Sequence, residues 1–348
     1  MFVIGVVVFL HELGHFLAAK SVGVKVEKFY LGFNFFGLGI KRTYKDTEYG
    51  IGLFPLGGYV KVAGVIDESM DSNFTGAPNE FRSKNTLEKI WIMSAGVIMN
   101  FILSIFLFSH LTFHGGIHEP DPRPIIGQLL PEYPAENLGM KMGDEIISIN
   151  GQKIFTWDDM TREIHSKPNE WIKISWMNES KFHSDSIKTK LADQLPWDKE
   201  IQKGIIGIAP IYNRRDASIG ESFANGFKQT FHWLDMTCKS LISLITGNVS
   251  MKEMAGPIMI AKMAGETASE GGMFALLGLM AIISVNLGLI NILPIPGLDG
   301  GHVLIALIEG TIRRELPLKI KLGIQQVGLL LLLILFFTIM FNDIQRLM

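Results

Sequence analysis

Four runs of the chain are apolar for nearly the roughly 20 residues that a helix needs to cross a bilayer. The first covers residues 2–19 but is interrupted by His11, Glu12 and His15. The second, residues 90–113, and the third, residues 273–293, contain no Asp, Glu, Lys or Arg. The fourth covers residues 322–341, with an apolar block at 327–337. Each predicts a membrane-spanning helix. A signal peptide would carry a basic stretch ahead of its apolar run. Here no Lys or Arg precedes Lys20, and ionisable groups inside a span are functional by default.

Between these runs the pattern changes. Residues 20–89 mix both charges with many glycines. Within them, residues 31–61 are rich in glycine and aromatics: Gly32, Phe33, Phe35, Phe36, Gly37, Gly39, Tyr44, Tyr49, Phe54 and Tyr59. Residues 49–54 alternate as a strand does, and the plainest reading of the segment is an ordinary hairpin packed on the bundle. Residues 114–235 have a soluble character, and about 123–211 predict one compact domain. Residues 125–130 are strand-like, and 134–139 form a short helix stopped by Gly139. Residues 143–154 form a hairpin turning at Asn150-Gly151. Residues 156–164 form an amphipathic helix with Thr156 as N-cap, and 171–177 alternate as a strand. In residues 236–272 the apolar cluster of Leu241, Ile242, Leu244 and Ile245 is too short to cross. It predicts amphipathic helix along a membrane face or against the bundle.

Composition agrees with a membrane. Hydrophobic residues make up 48% of the 348 and charged residues only 19%, against about 25% in an ordinary soluble domain. A net charge of −2 leaves no basic excess for phosphates, so no nucleic-acid partner is expected. The single cysteine, Cys238, excludes an intrachain disulfide and a multi-cysteine metal site. Basic residues in short loops set orientation. Arg313, Arg314, Lys319 and Lys321 lie between the third and fourth spans, whereas the tail carries only Arg346. That loop is therefore expected in the cytoplasm. Residues 20–89, opening with Lys20, Lys25 and Lys28, lie on the same side, and the 114–272 region lies outside.

His11-Glu12-Leu13-Gly14-His15 is an H-E-x-x-H motif. On a helix, positions i and i+4 share a face, so both imidazoles reach one ion, with Glu12 beside them to take a proton from a zinc-activated water. Three ionisable groups in apolar surroundings need a partner, and a metal supplies it. A catalytic zinc has three protein ligands and one open position. Asp299 closes the third span on the side of His15, within Asn291-Ile-Leu-Pro294-Ile-Pro296-Gly-Leu-Asp299-Gly-Gly. His302 and Glu309 are rival third ligands.

With both motifs in place, the chain resembles the site-2 protease family of intramembrane zinc metalloproteases, in particular its bacterial RseP type. The pairing of H-E-x-x-H with N-x-x-P-x-P-x-L-D-G carries the resemblance. Further likeness lies in Pro55-Leu-Gly-Gly-Tyr-Val-Lys61, Gly96-Val-Ile-Met-Asn100 and Ser284-Val-Asn286-Leu-Gly288. The P-A-x-x-x-G and I-x-x-I-N-G signatures of the soluble region resemble a PDZ domain, a module that binds extended peptide beside a strand.

The resemblance implies an α-helical polytopic membrane protein with four transmembrane segments, a membrane-associated β-loop and an inserted PDZ-like α/β domain. The expected order begins with a first helix at 1–22, a cytoplasmic region with the β-loop at 23–89 and a second helix at 90–113. An extracytoplasmic PDZ-like domain at 114–211 and membrane-associated helices at 212–272 follow. A third helix at 273–312 and a fourth with a short tail at 313–348 complete it. By the resemblance, His11, His15 and Asp299 bind one zinc ion per chain and Glu12 is the general base. The resemblance also implies that Asn286, Asn291, Gly57, Gly58, Tyr59, Val60 and Lys61 hold extended substrate; for the two asparagines the alternative is helix–helix hydrogen bonding within the bundle. The expected partners are single-span membrane proteins of the anti-sigma-factor or remnant-signal-peptide type, the lipid bilayer, and a peptide at the PDZ-like domain. The expected location is the bacterial inner membrane, with the zinc site toward the cytoplasm. Two departures stand out. Only ten residues precede His11, which suits a trimmed amino terminus or a locally thinned bilayer. The chain also has room for one PDZ-like domain where the RseP type carries two. A metal transporter would need ionisable groups along several spans, yet the second and fourth offer only His110. A soluble zincin is excluded by the length of the third and fourth spans.

Overall fold

A computed structural model describes residues 2–34, 39–65, 76–179, 181–192, 203–250, 252 and 254–347. Phe35, Phe36 and Gly37 of the glycine–aromatic segment lie outside the described residues. The chain divides into two compact units: Met1–Thr112, Ile219–Leu241 and Ser250–Met348 form one, and Phe113–Ser218 with Ile242–Val249 form the other.

In the first unit, helix α1 (Phe2–Ser21) leads into a four-stranded sheet of β1 (Val26–Phe33), β2 (Gly39–Tyr44), β3 (Thr47–Gly52) and β4 (Phe54–Val62). The strand order is β2-β3-β1-β4. β1 pairs parallel with β3 and antiparallel with β4, so this is a mixed sheet rather than a simple hairpin. Gly50 of β3 leaves room for the Tyr30 ring, which stacks on Tyr59 with centroids 5.0 Å apart. The sheet packs on α1 through Phe9 and Phe16, which meet Phe29, and Phe16 also meets Tyr49.

Helix α2 (Thr86–Gly115) crosses α1 at backbone distance. A Cβ on Gly14 would collide with the carbonyl of Ala95, so only glycine lets the two helices meet there. Val3, Val7, Leu107, Phe108, Met280 and Ala281 join α1 and α2 to α6 (Pro257–Ile292) in one core cluster.

The second unit holds β5 (Ile117–Pro120), β6 (Ile126–Leu129), α3 (Pro134–Asn137), β7 (Glu145–Ile149), β8 (Gln152–Lys153), α4 (Trp157–His165), β9 (Trp171–Asn178), β10 (Lys181–Lys188), β11 (Lys190–Leu191), β12 (Gly204–Ile205), β13 (Ile208–Pro210) and β14 (Tyr212–Arg215). Its main sheet has the order β10-β9-β7-β8. The turn between β7 and β8 uses Asn150 and Gly151, both at positive φ. Thr156 caps α4 in a reciprocal box with Asp159. Its core is built of isoleucines, including Ile126, Ile146, Ile149, Ile172 and Ile174, closed by Trp176. The β5–β14 ribbon brackets the domain. Beside it, Asp121 accepts from the backbone and guanidinium of Arg123 and from Asn213, and the Arg123 bonds hold its carboxyl well below the usual range.

Helix α5 (Ile219–Ile245) is continuous across the stretch where the sequence shows only a short apolar cluster. It lies against the bundle. Gly226 packs on Ile105 and Ser109, Asn225 donates to Thr112 at 2.8 Å, and Thr237 donates to Asn286 at 2.7 Å. α6 begins sixteen residues ahead of the expected third span and kinks at Gly272, whose φ of +62° suits glycine. It ends at Ile292, because Pro294 and Pro296 cannot continue it. A tight turn leads to α7 (Asp299–Ile312), so residues 273–312 are two helices rather than one. Helix α8 (Leu318–Leu347) closes the chain. Near its end the buried Asp343 accepts the backbone N–H groups of Gly256, Ile258 and Met259 and so caps α6. Where α2, α7 and α8 meet, buried Glu309 pairs with Lys321, lies 3.8 Å from Lys89 Nζ and accepts from Leu316 N.

Among the described residues, α1, α2, α6 and α8 are long and apolar enough to cross a membrane. Only 11% of the apolar window of α8 is buried within the protein, so the rest suits lipid.

Candidate metal centre

One turn of α1 sets His11 and His15 on the same face, and the first residue of α7 brings Asp299 to them. Asp299 Oδ2 lies 3.2 Å from each histidine Nε2, and the two Nε2 atoms lie 3.2 Å apart. Both histidines are buried. The turn ahead of α7 is held by glycines that permit backbone contact: a Cβ on Gly300 would strike the carbonyls of Ile292 and Leu293, and one on Gly301 that of Ile295. On the opposite side Gly96 of α2 faces the imidazoles, where a Cβ would collide with His15 Nε2.

The chemistry of these three groups calls for a cation. His15 Nδ1 donates to the Ile92 carbonyl at 2.8 Å, which leaves the Nε2 lone pair pointing inward. Asp299 Oδ2 is buried without a hydrogen-bond partner among the described residues. Lone pairs converging at such distances repel unless a positive ion lies among them. Zinc–ligand bonds of about 2.0–2.1 Å in a tetrahedron separate the ligand atoms by about 3.3–3.4 Å, close to the triangle found. The residues therefore fit a zinc ion with one side open.

That side faces a cavity of about 730 Å³ lined by α1, residues 58–62 of β4, Ile92, Asp299, His302 and Gln325. Glu12 lines it too, and its Oε2 accepts the backbone N–H of Val60 at 3.0 Å. The expected substrate residues Gly58, Tyr59, Val60 and Lys61 border the cavity, and Gly57 precedes them at φ +130°. Burial pushes the Tyr59 phenol above its ordinary range. Burial and the hydrogen bond to Glu48 push Tyr30 up to about 12, so both stay protonated at neutral pH. Asn291 Nδ2 stands 3.3 Å from His11 Nε2, at the triangle itself. Asn286 lies elsewhere, bonded to Thr237 of α5. Of the rival ligands, His302 lines the cavity outside the triangle and Glu309 is engaged with Lys321.

Sequence reasoning did not single out Asn100 for the site. It is fully buried on α2, with Nδ2 3.1 Å from His11 Nδ1. The signal was present: an amide in a span free of charged residues must find a partner, the argument that picked out Asn286 and Asn291.

A helical membrane bundle carrying an H-E-x-x-H helix, a distant aspartate and a β-rich insertion defines a polytopic metallopeptidase. The chain belongs to Peptidase family M50, whose model matches residues 1–335. A relative from Campylobacter jejuni is 34% identical over 350 residues, covering 99% of this chain and 92% of its own. Zinc metalloprotease RasP of Geobacillus kaustophilus is 28% identical over 417 residues, covering 99% of this chain and 96% of its own. Of solved structures, the PDZ domain of an SdrC-like protein from Listeria innocua aligns with 26% of this chain and 93% of its own, at 28% identity and a TM-score of 0.21.

Proposed function

We propose that this chain is an intramembrane zinc endopeptidase that hydrolyses peptide bonds within the transmembrane segments of single-span membrane proteins. The observation that carries the reading is the triangle of His11, His15 and Asp299 at 3.2 Å spacings, set between apolar helices and open to the Glu12 cavity. His11, His15 and Asp299 would hold one zinc. When bound, it supplies Lewis-acid activation of water and of the scissile carbonyl. Glu12 takes the water's proton and returns it to the leaving amine. A helical substrate hides its carbonyls in internal hydrogen bonds, so it must open locally before attack. The β4 edge at residues 58–61 and the Asn291 amide offer replacement partners for an extended backbone. Asn286, through its bond to Thr237, holds the helix that carries Asn291.

The basic loop at residues 313–321 supports a cytoplasmic placement for the zinc side, and the inserted domain then lies outside. Labelling of cysteines placed at Asn178, Lys45 and Lys319 in sealed inner-membrane vesicles tests this. Asn178 should react only from the outer face. Substrates already shortened by a first cut, such as anti-sigma factors or remnant signal peptides, suit a site reached within the bilayer, and the inserted domain is a natural receptor or filter for their ends.

The deciding experiment compares membranes carrying the wild type with membranes carrying Glu12→Gln. The variant should keep its zinc and fold, lose nearly all turnover, and let single-span proteins accumulate, because an amide cannot accept the proton. An unchanged membrane proteome, or normal turnover by the variant, would remove the reading.

A further inference from the structure

We infer that Asn100 is the positioning residue of the metal centre: its side-chain oxygen accepts the Nδ1–H of His11 and thereby turns the His11 Nε2 lone pair toward the metal. The inference rests on the zinc reading above. It starts from an inconsistency at one buried amide. Asn100 is fully buried, its nitrogen lies 3.1 Å from His11 Nδ1, and its side-chain oxygen has no hydrogen-bond partner among the described residues. The two ends of a carboxamide are told apart by their hydrogen-bond network. An amide N–H donating to Nδ1 would put the ring proton on Nε2, facing His15 Nε2 and Asp299 Oδ2, where a cation cannot then be bound. Exchanging the two ends of the amide resolves this. The oxygen then meets Nδ1–H, is no longer an unpaired buried acceptor, and leaves Nε2 free to ligate.

His15 supplies an independent parallel. Its Nδ1 donates to the Ile92 carbonyl, also on α2. Ile92, Gly96 and Asn100 recur every four residues and so lie along one stripe of the helix. The outer two orient the imidazoles and the glycine between them gives the rings room. The backbone at Asn100 is itself held in place: Ser284 of α6 donates to its main-chain carbonyl at 2.8 Å. Partners of this kind fix the tautomer and orientation of metal-bound histidine.

The test uses the full-length protein in detergent and measures zinc affinity by competition with a chromophoric chelator, together with the visible spectrum of the cobalt-substituted protein. Asn100→Leu removes the acceptor and should weaken zinc about 10–100-fold and alter the cobalt bands. Asn100→Asp keeps an acceptor and should bind zinc at least as tightly as the wild type. Wild-type affinity and spectrum in Asn100→Leu would overturn the inference. So would an Asn100→Asp protein that folds but binds weakly, because the amide N–H would then be the group that matters. Where Asn100→Leu fails to fold, Asn100→Asp decides alone. His11→Ala is the control that separates the two claims. If it keeps its zinc, the metal reading itself fails; if it loses zinc while Asn100→Leu does not, only the role of Asn100 falls.

Discussion

The backbone N–H of Val60 donates to the side chain of Glu12 at 3.0 Å, tying the edge strand of the β-loop to the proposed general base. Val60 pairs with Phe29 of β1, yet this donor points the other way, off the sheet edge toward α1. Proline at position 60 deletes the donor without removing a ladder bond. Val60→Pro should therefore keep its zinc and much of its stability while cleavage falls at least tenfold. Rate, metal content and thermal unfolding measured on the same preparation check this, and a normal rate would leave the donor without a part in catalysis.

The third ligand is open to a direct comparison. Asp299→Ala should purify with little zinc and no activity, whereas His302→Ala, which lines the same cavity outside the triangle, should keep its metal. Elemental analysis of the two proteins decides it. Full occupancy in Asp299→Ala would move the ligand elsewhere.

Asn286 and Asn291 should behave differently, although both lie on α6. Asn286 accepts from Thr237, so Asn286→Leu should cost about 1 kcal/mol of stability, as interhelical hydrogen bonds do. Asn291 stands beside His11, so Asn291→Leu should lower the cleavage rate with little change in unfolding. If activity in Asn291→Leu falls only in step with stability, it too serves the bundle alone.

Removing the Asp343 carboxylate strands three buried or half-buried backbone donors at the start of α6. Asp343→Ala should destabilise the protein by about 2–3 kcal/mol, combining a lost cap with unsatisfied donors. Denaturation in detergent would register this, and the zinc content of the folded fraction should stay unchanged.

Much of the centre could be read from local spacing. His11 and His15 are one turn apart, and the prolines at 294 and 296 announce the break that delivers Asp299. Position alone leaves Asp299 one of three possible ligands, because its approach to His11 spans nearly the whole chain, and only the pairing of the two motifs singles it out. The length of α6 was not legible. Lys262, Glu266 and Glu270 end the apolar run and set residues up to 272 apart as a separate amphipathic helix, yet α6 runs through them into the span with its start capped by Asp343. α5 was legible only in part, because its contacts with α2 use Gly226, Asn225 and Thr230, which carry no apolar signal. The parallel pairing of β1 with β3 joins segments that alternation alone would have made neighbours in a hairpin.

The hydrogen atom that serves Gly96 as a side chain makes this position a point of failure that a check of the ligands would miss. A Gly96→Ala chain would retain His11, Glu12, His15 and Asp299 unaltered, and a motif search would still score it as an intact peptidase. One added methyl would nevertheless press on both imidazoles at once, since the nearest atoms belong to His15 and His11. Within such a family, a relative that keeps both signature motifs but carries a larger residue here is a natural candidate for a protein that has lost hydrolysis while keeping its shape.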